Sequence, residues 1–219
     1  MSLQLQSLSI HHKHQGPLIE GVNMLIKPGE ILTLMGPSGC GKSTLLSTIA
    51  GHLSDDFLLE GKIVLNQQSI ETTLPHQRQI GILFQDDLLF PHLNVWENIA
   101  IGLPNEIKGK ERKQHVIKCL KQVNLDKLAC SMPHQISGGQ RARVSLLRML
   151  QAKPKAVLLD EPFNKLDMNL RVAFRRWVFT QLKQAQVPTL MVTHDEMDAP
   201  EDGTLIHWDN LKEESLNAR

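Results

Sequence analysis

The chain has 219 residues, 41% of them hydrophobic, which is enough for one sizeable domain or for two lobes around one core. Its 24 basic and 23 acidic residues give a formal net charge of +1, and this balance argues against nucleic acid as the main partner. The apolar runs are far too short to span a membrane as a helix.

Strand patterns come first along the chain. Alternating apolar and polar residues predict strands at Leu3–Leu8 and Val22–Ile26. The apolar run Glu30–Met35 predicts a third strand that leads into a glycine-rich segment, and Lys42–Gly51 after it is typical of a helix that ends at a glycine. Two further strands are predicted at Gly61–Leu65 and Gln79–Phe84.

A helical pattern replaces the strands from Asn94 to Leu150. Interrupted by Pro104, Gly109 and Pro133, it predicts three helices, Val95–Leu103, Lys110–Val123 and Gln140–Leu150.

Strand patterns then return near the end of the chain. They predict strands at Ala156–Asp160 and Thr189–Thr193, with a helix from about Asp167 to Ala185 between them. Strands that alternate with helices indicate an α/β fold with a mainly parallel core sheet.

The segment GPSGCGKST has the spacing of a phosphate-binding loop and lies between a predicted strand and a predicted helix. Its glycines would let backbone N–H groups surround a β-phosphate, while Lys42 would reach the β- and γ-phosphates and the Ser43 hydroxyl would bind Mg²⁺. The alternative is a purely structural glycine turn at a helix start. The nucleotide-binding residues predicted here are Gly36, Pro37, Ser38, Gly39, Cys40, Gly41, Lys42, Ser43 and Thr44.

The segment AVLLDEP is an apolar strand that ends in two carboxylates. Asp160, beside a phosphate loop, is placed to hold Mg²⁺, usually through water. Glu161 points elsewhere because side chains alternate along a strand, and it is the candidate to orient and deprotonate an attacking water. The alternative is a solvated strand end.

A second phosphate-type feature occurs in ISGGQ, Ile136–Gln140. A serine and two glycines at a helix start expose backbone N–H groups, and the helix dipole adds positive potential there. The alternative is a simple helix cap formed by Ser137.

Taken in order, these motifs resemble those of the ATP-binding cassette (ABC) ATPases: the phosphate loop, Gln85 in ILFQDD, the signature ISGGQ, LLDEP and His194 in VTHD. The resemblance implies a P-loop NTPase core with a mainly parallel sheet, an N-terminal antiparallel β lobe and an inserted α-helical subdomain. It also implies one nucleotide-binding domain over 1–219, with a core lobe at about 1–85 and 155–219 and a helical subdomain at about 86–154.

The resemblance also implies roles for single residues. Gln85 would contact Mg²⁺ or the attacking water, although a lone Gln after a strand is usually a polar loop residue. His194 would bond the γ-phosphate and hold the attacking water, although a lone His at a strand end is more often structural. Asp167, in the D-loop segment NKLD, would link two sites across a dimer. The residues that would bind the nucleotide of a partner chain are Ser137, Gly138, Gly139 and Gln140.

The chain departs from the family at the adenine site, where an aromatic residue near the N-terminus is usual. There is no Tyr, and the matching region reads IHHKHQ, so either His11 or His12 would stack on the base or the base would be held loosely. A metal site formed by His11, His12 and His14 is a weaker alternative, and exposed solvated histidines are another. Lys165 adds a charge in the D-loop, where small residues are common.

The function implied is the ATP-binding and hydrolysing subunit of a bacterial importer, with ATP and Mg²⁺ as ligands. The implied partners are a second copy in the ATP-bound state, a transmembrane permease and a periplasmic or surface substrate-binding protein, with no nucleic acid. Three unpaired cysteines and the lack of a signal-peptide pattern agree with a peripheral place on the cytoplasmic face of the cell membrane. Four apolar residues, Leu88, Leu89, Phe90 and Trp96, either line the permease groove or belong to the helical core.

Two other classes of function stay open. A soluble ABC-type ATPase could act in nucleic-acid, ribosome or cofactor-assembly processes, but the near-neutral charge and the single cassette disfavour it. A small-molecule kinase could use the same phosphate loop, but it would leave the signature and His194 unexplained.

Overall fold

A four-stranded antiparallel sheet forms the N-terminal part of the fold. The computed structural model describes residues 1–211. In it, β1 (Leu3–His12) lies between β2 (Gly16–Ile26) and β4 (Phe57–Leu65), and β5 (Gln68–Ser69) pairs with β4. The strands β1, β2 and β4 are longer than the sequence pattern predicts. The pairing of β1 and β4 shifts register between Gln6 and Ser9, and this irregularity interrupts the alternation of buried and exposed residues.

A five-stranded sheet forms the centre of the fold. It contains β3 (Ile31–Met35), β6 (Ile80–Leu83), β7 (Ala156–Asp160), β8 (Thr189–Thr193) and β9 (Thr204–His207), in the order β6-β7-β8-β3-β9. The strand β8 pairs in parallel with β7 and β3, and β3 pairs in parallel with β9. All residues of β3, β7 and β8 are buried, which explains their continuous apolar sequences. The predicted α/β fold class is confirmed.

Within residues 1–211, α-helices with both ends described are α1 (Lys42–Ala50), α2 (Val95–Ala100), α3 (Gly109–Gln122), α4 (Gly138–Gln151) and α5 (Met168–Gln184). Four match the predicted helices to within two residues at each end, and α2 ends three residues earlier than predicted. Single 3₁₀ turns lie at Pro75–Gln77, Asp126–Leu128, Pro133–Gln135 and Glu196–Asp198. Among residues 1–211, no helix is both long and apolar enough to cross a membrane.

The chain forms two compact units. Residues 1–82, 155–161 and 178–211 make one, called the core unit here; residues 83–154 and 162–177 make the other, called the helical unit. The predicted division into a core lobe and a helical subdomain stays a prediction.

The two units carry opposite charge. The helical unit contains 15 basic and 7 acidic residues, a formal net charge of +8. The described part of the core unit, which ends at residue 211, contains 7 basic and 14 acidic residues, a net charge of −7. The near-neutral total therefore conceals two strongly charged halves.

One buried arginine joins α1 to the segment before β6. Arg78 is 6% exposed, and its guanidinium donates to four backbone carbonyl oxygens. Nη1 donates to the carbonyls of Thr48 (3.0 Å) and Ile49 (2.8 Å), near the end of α1. Nε donates to the carbonyl of Thr73 (2.9 Å) and Nη2 to that of Glu71 (2.7 Å). Carbonyls in the last turn of α1 thus gain a charged donor, and that of Thr48 also accepts from the Gly51 N–H (3.1 Å).

Candidate active site

The segment between β3 and α1 forms a glycine-dependent loop. Gly39 and Gly41 have φ angles of +80° and +111°, a region that favours glycine, and Gly41 is the N-cap of α1. A side chain at Gly36 would lie 2.7 Å from Cβ of Trp208, and one at Gly41 would lie 2.9 Å from Leu18. Trp208 and Leu18 therefore pack closely against the loop, and the sequence patterns did not identify either of them.

The ammonium group of Lys42 belongs to this loop. Lys42 is the first residue of α1 and is 7% exposed. Its Nζ donates to the carbonyls of Gly36 (2.7 Å) and Pro37 (2.8 Å). A buried cation at the N-terminus of a helix, beside backbone N–H groups, creates an electropositive site suited to phosphate.

The carboxylate of Asp160 lies beside the start of α1. Asp160 ends β7, is 7% exposed and accepts a hydrogen bond from the Ser43 hydroxyl. Burial raises the pKa of Asp160; the bond from Ser43 lowers it, the charge of Glu161 raises it and that of Lys42 lowers it. The structure thus brings together two oxygen groups that the sequence predicts for Mg²⁺.

Glu161 occupies a strained position directly after β7. Its φ is +47°, which costs a residue with a side chain of the order of 1 kcal/mol. Its backbone N–H donates to the carbonyl of Val192 (3.0 Å), and its side chain is 14% exposed. Backbone strain of this kind concentrates at functional sites because the surrounding structure must enforce it.

Two residues at the end of β8 hold the Glu161 carboxylate. Nδ1 of His194 lies 2.8 Å from Oε1, and Oγ1 of Thr193 lies 3.2 Å from Oε2. Because the carboxylate accepts, the imidazole donates through Nδ1. The His194 side chain is 62% exposed, so its ring also faces solvent. Glu161 and His194, for which the sequence predicts separate roles, are therefore in contact, and Thr193 is a third residue here that the sequence reasoning did not identify.

The signature forms a capped helix start in the helical unit. Ser137 is the N-cap of α4: its Oγ accepts from the Gln140 backbone N–H (3.3 Å), and Oε1 of Gln140 accepts from the Ser137 N–H (2.8 Å). A side chain at Gly139 would lie 3.0 Å from the carbonyl oxygen of Lys165, whereas Gly138 is less crowded. The cap therefore exists, and a cap does not exclude anion binding by the same N-terminus.

Two other predicted residues lie in loops of the helical unit. Gln85 is exposed in a bend after β6. Asp167 precedes α5, and its Oδ1 accepts from the N–H of Leu170 (3.1 Å). The charge of Asp167 also acts on buried Arg143 of α4: burial lowers the pKa of Arg143, and Asp167 raises it. A second copy is absent from the structure, so a role of Asp167 across a dimer stays a prediction.

The predicted adenine site contains an aromatic pair. His12, at the end of β1, lies opposite Phe57 at the start of β4, with ring centroids 5.0 Å apart and the rings edge to face. His14 lies 6.0 Å from His12. Sequence reasoning considered histidines alone here, because only the register of the strands brings Phe57 beside His12. Within residues 1–211, no group of three His, Cys, Asp or Glu residues is arranged to hold a metal ion.

The apolar residues after Gln85 divide into two groups. Leu88 and Phe90 are 58% and 42% exposed, whereas Leu89 and Trp96 are half-buried. Asn98, fully buried, holds this segment because its side chain bonds both backbone groups of Phe90. The exposed pair is therefore presented by an ordered segment.

Comparisons with known proteins identify the family of this chain. Residues 19–164 match a family model described as ABC transporter. The chain is 48% identical over 189 residues to the uncharacterized ABC transporter ATP-binding protein YnjD of Escherichia coli, covering 86% of this chain and 87% of that protein. It is 40% identical over 207 residues to the sulfate/thiosulfate import ATP-binding protein CysA of Neisseria meningitidis, covering 92% of this chain and 57% of CysA.

The fold agrees as well. A dimeric structure of the ATP-binding cassette MJ0796 in a post-hydrolysis state, bound to ADP and Pi, matches with a TM-score of 0.81 at 28% identity, over 94% of this chain and 93% of that one. With a phosphate loop, a Glu161–His194 pair and a capped signature helix in its structure, the chain belongs to the ABC transporter family as an ATP-binding subunit that hydrolyses ATP.

Proposed function

We propose that this protein is the ATPase subunit of a bacterial importer and that it drives a separate membrane permease by ATP-dependent closure of a head-to-tail dimer. The observation that best supports the proposed dimer is that the two helix N-termini suited to phosphate lie in different units. The phosphate loop before Lys42 belongs to the core unit, and the signature at Ser137 belongs to the helical unit. Two copies in an isologous arrangement would form two sites, each with one phosphate loop and one signature.

In the proposed site, the phosphate loop and Lys42 bind the β- and γ-phosphates. Gly138 and Gly139 of the partner copy donate backbone N–H groups to the same γ-phosphate, and Ser137 of that copy donates its hydroxyl. His12, with Phe57 beside it, stacks on adenine.

Glu161 is the proposed general base for the attacking water. Without nucleotide, its carboxylate is bound by His194 (2.8 Å) and Thr193 (3.2 Å), and the bond from Thr193 would keep it oriented during the reaction. His194 would exchange its bond to Glu161 for one to the γ-phosphate when nucleotide is present. The proton that Glu161 takes from water leaves with the products.

The residues beside the phosphate loop fit Mg²⁺. The Ser43 hydroxyl and the Asp160 carboxylate are hydrogen-bonded to each other and are hard oxygen ligands of the kind that this ion prefers. Gln85 is the third proposed ligand. When bound, the ion would neutralise charge on the phosphate oxygens.

The relatives and the surface of the chain support the proposed importer role and the proposed partners. The chain spans 57% of the length of CysA, which is named as an import ATP-binding protein. Leu88 and Phe90 offer an exposed apolar surface for a permease segment. The proposed location is the cytoplasmic face of the cell membrane, and a substrate-binding protein outside the membrane would deliver the cargo.

The dimer is tested by the mass of the Glu161→Gln variant in solution, measured by light scattering with and without ATP. We expect a shift from monomer to dimer on ATP, because loss of the base traps both nucleotides. Adding Ser137→Arg to this variant should keep the protein monomeric while it still binds nucleotide. A dimer that forms equally well with Ser137→Arg would contradict action of the signature in trans.

The permease is tested by co-expression with the membrane protein encoded beside this chain. We expect the two to purify together in detergent, and the Leu88→Ser/Phe90→Ser variant to purify alone while retaining ATP hydrolysis. Copurification unaffected by these changes would place the contact elsewhere, and the lack of any adjacent membrane-protein gene would favour the alternative of a cassette ATPase outside transport.

A further inference from the structure

Three charged side chains meet where three functional segments of the helical unit approach one another. Asp87 follows Gln85 by two residues, Arg141 lies four residues after Ser137 on α4, and Lys165 precedes Asp167 by two. Nε of Arg141 donates to Oδ2 of Asp87 at 3.2 Å, and Nζ of Lys165 lies 3.5 Å from Oδ1. One carboxylate therefore holds a cation on each of its oxygens.

This cluster differs from an ordinary surface ion pair in its burial. The side chain of Asp87 is 12% exposed, and those of Arg141 and Lys165 are 37% and 33% exposed. The neighbouring Asp86 is 89% exposed, and its Oδ1 lies 3.9 Å from Lys165. Exposed pairs contribute little because water screens them, whereas a carboxylate withdrawn from solvent depends on its partners.

The backbone around the cluster also joins the segments. Nη1 of Arg141 donates to the carbonyl of Ile136 (2.9 Å), so the guanidinium that binds Asp87 also holds the residue before Ser137. The carbonyl of Lys165 lies so close to Gly139 that a Cβ there would be 3.0 Å away. The start of α4 is thus fixed on one side through Asp87 and on the other by the D-loop backbone.

We infer that Asp87 is a positioning residue for ATP hydrolysis, which keeps the signature in register with the loops that carry Gln85 and Asp167. Asp87 acts through Arg141 and Lys165 rather than on the nucleotide. This inference rests on the proposed function, in which Ser137 binds the γ-phosphate bound to the partner copy. It also gives Lys165 a role: its charge takes the second oxygen of Asp87.

The test compares Asp87→Ala with the matched control Asp86→Ala, in which the adjacent and exposed carboxylate is removed. We expect Asp87→Ala to lower kcat by about tenfold and to change the monomer's nucleotide affinity by less than about twofold, because the phosphate loop belongs to the core unit. The control should keep both values within about twofold of wild type. Asp87→Asn, which retains an acceptor for Arg141, should recover part of the lost kcat.

A double variant identifies the partner. If Asp87 acts through Arg141, Asp87→Ala with Arg141→Ala should be no slower than Arg141→Ala alone, whereas independent effects would multiply. Multiplied losses, an unchanged kcat in Asp87→Ala, or an equal fall in nucleotide affinity would each overturn the inference. The proposed function is judged separately in the same series, because it fails if the otherwise wild-type Glu161→Gln protein does not dimerise with ATP.

Discussion

Arg78 is expected to be a major determinant of the stability of the core unit. Each hydrogen bond from a charged donor contributes roughly 1.5–3 kcal/mol, and burial of the guanidinium offsets a large part of that sum. Arg78→Met removes the guanidinium from these carbonyls, and each buried acceptor left unsatisfied typically costs roughly 1–3 kcal/mol. Since Arg78 is 6% exposed and donates to four backbone carbonyls, of which that of Thr48 keeps the Gly51 N–H as a donor, we expect Arg78→Met to lower the free energy of unfolding by about 3–5 kcal/mol.

This loss is large beside the total stability of about 5–15 kcal/mol that is usual for a domain. The assay is urea unfolding followed by far-UV circular dichroism, and the unfolding midpoint should fall by at least about 1 M. The control is Arg78→Lys, which keeps the charge and three donors but not the planar guanidinium. Its free energy of unfolding should lie between those of the wild type and Arg78→Met. A change of less than about 1 kcal/mol in Arg78→Met would refute the reasoning, because the four bonds would then have no net value.

Three further predictions concern the site. Lys42→Ala should weaken ATP binding by at least about tenfold, since it removes a charge-assisted donor to phosphate; calorimetric titration with an unchanged Kd would contradict this. Burial raises the pKa of Asp160, so folding stability falls as the pH rises above the ordinary pKa of an aspartate and the buried carboxyl must ionise. Asp160→Asn should therefore raise Tm by a few degrees at pH 7 while it abolishes ATP hydrolysis. A lower Tm in this variant would contradict the prediction. Gly139→Ala should destabilise the helical unit, because the new Cβ would lie 3.0 Å from the carbonyl oxygen of Lys165 and from the side chain of Leu166. We expect the free energy of unfolding to fall by about 1–3 kcal/mol while nucleotide binding is retained. An unaltered thermal transition would show that these neighbours move aside at little cost.

Sequence patterns predict well those elements in which every residue has the same environment. The strands β7 and β8 are buried along their whole length, so their apolar runs were clear. The strand β9 was missed because three of its four residues are exposed, and its apolar residues follow no simple alternation. In β1, the irregular pairing after Gln6 hid the second half of the strand.

The candidate site shows the same division. Motif spacing identified Lys42, Asp160 and Glu161 because each belongs to a short contiguous pattern. Other contacts of the site join distant segments: Phe57 lies beside His12 only through strand register, and Asp87 contacts Lys165 only through folding of the helical unit. No local pattern in one sequence encodes such contacts.

The opposite charges of the two units affect how copies of the protein encounter each other. If its charges were evenly mixed, a protein with a net charge of +1 would show little orientational preference in solution. With +8 in one unit and −7 in the other, like units of two molecules repel and unlike units attract before any contact forms. The effect extends over a Debye length of about 8 Å at physiological ionic strength and shortens with added salt. The charge separation therefore favours encounters that bring unlike units together, as a head-to-tail dimer requires. Added salt weakens this preference.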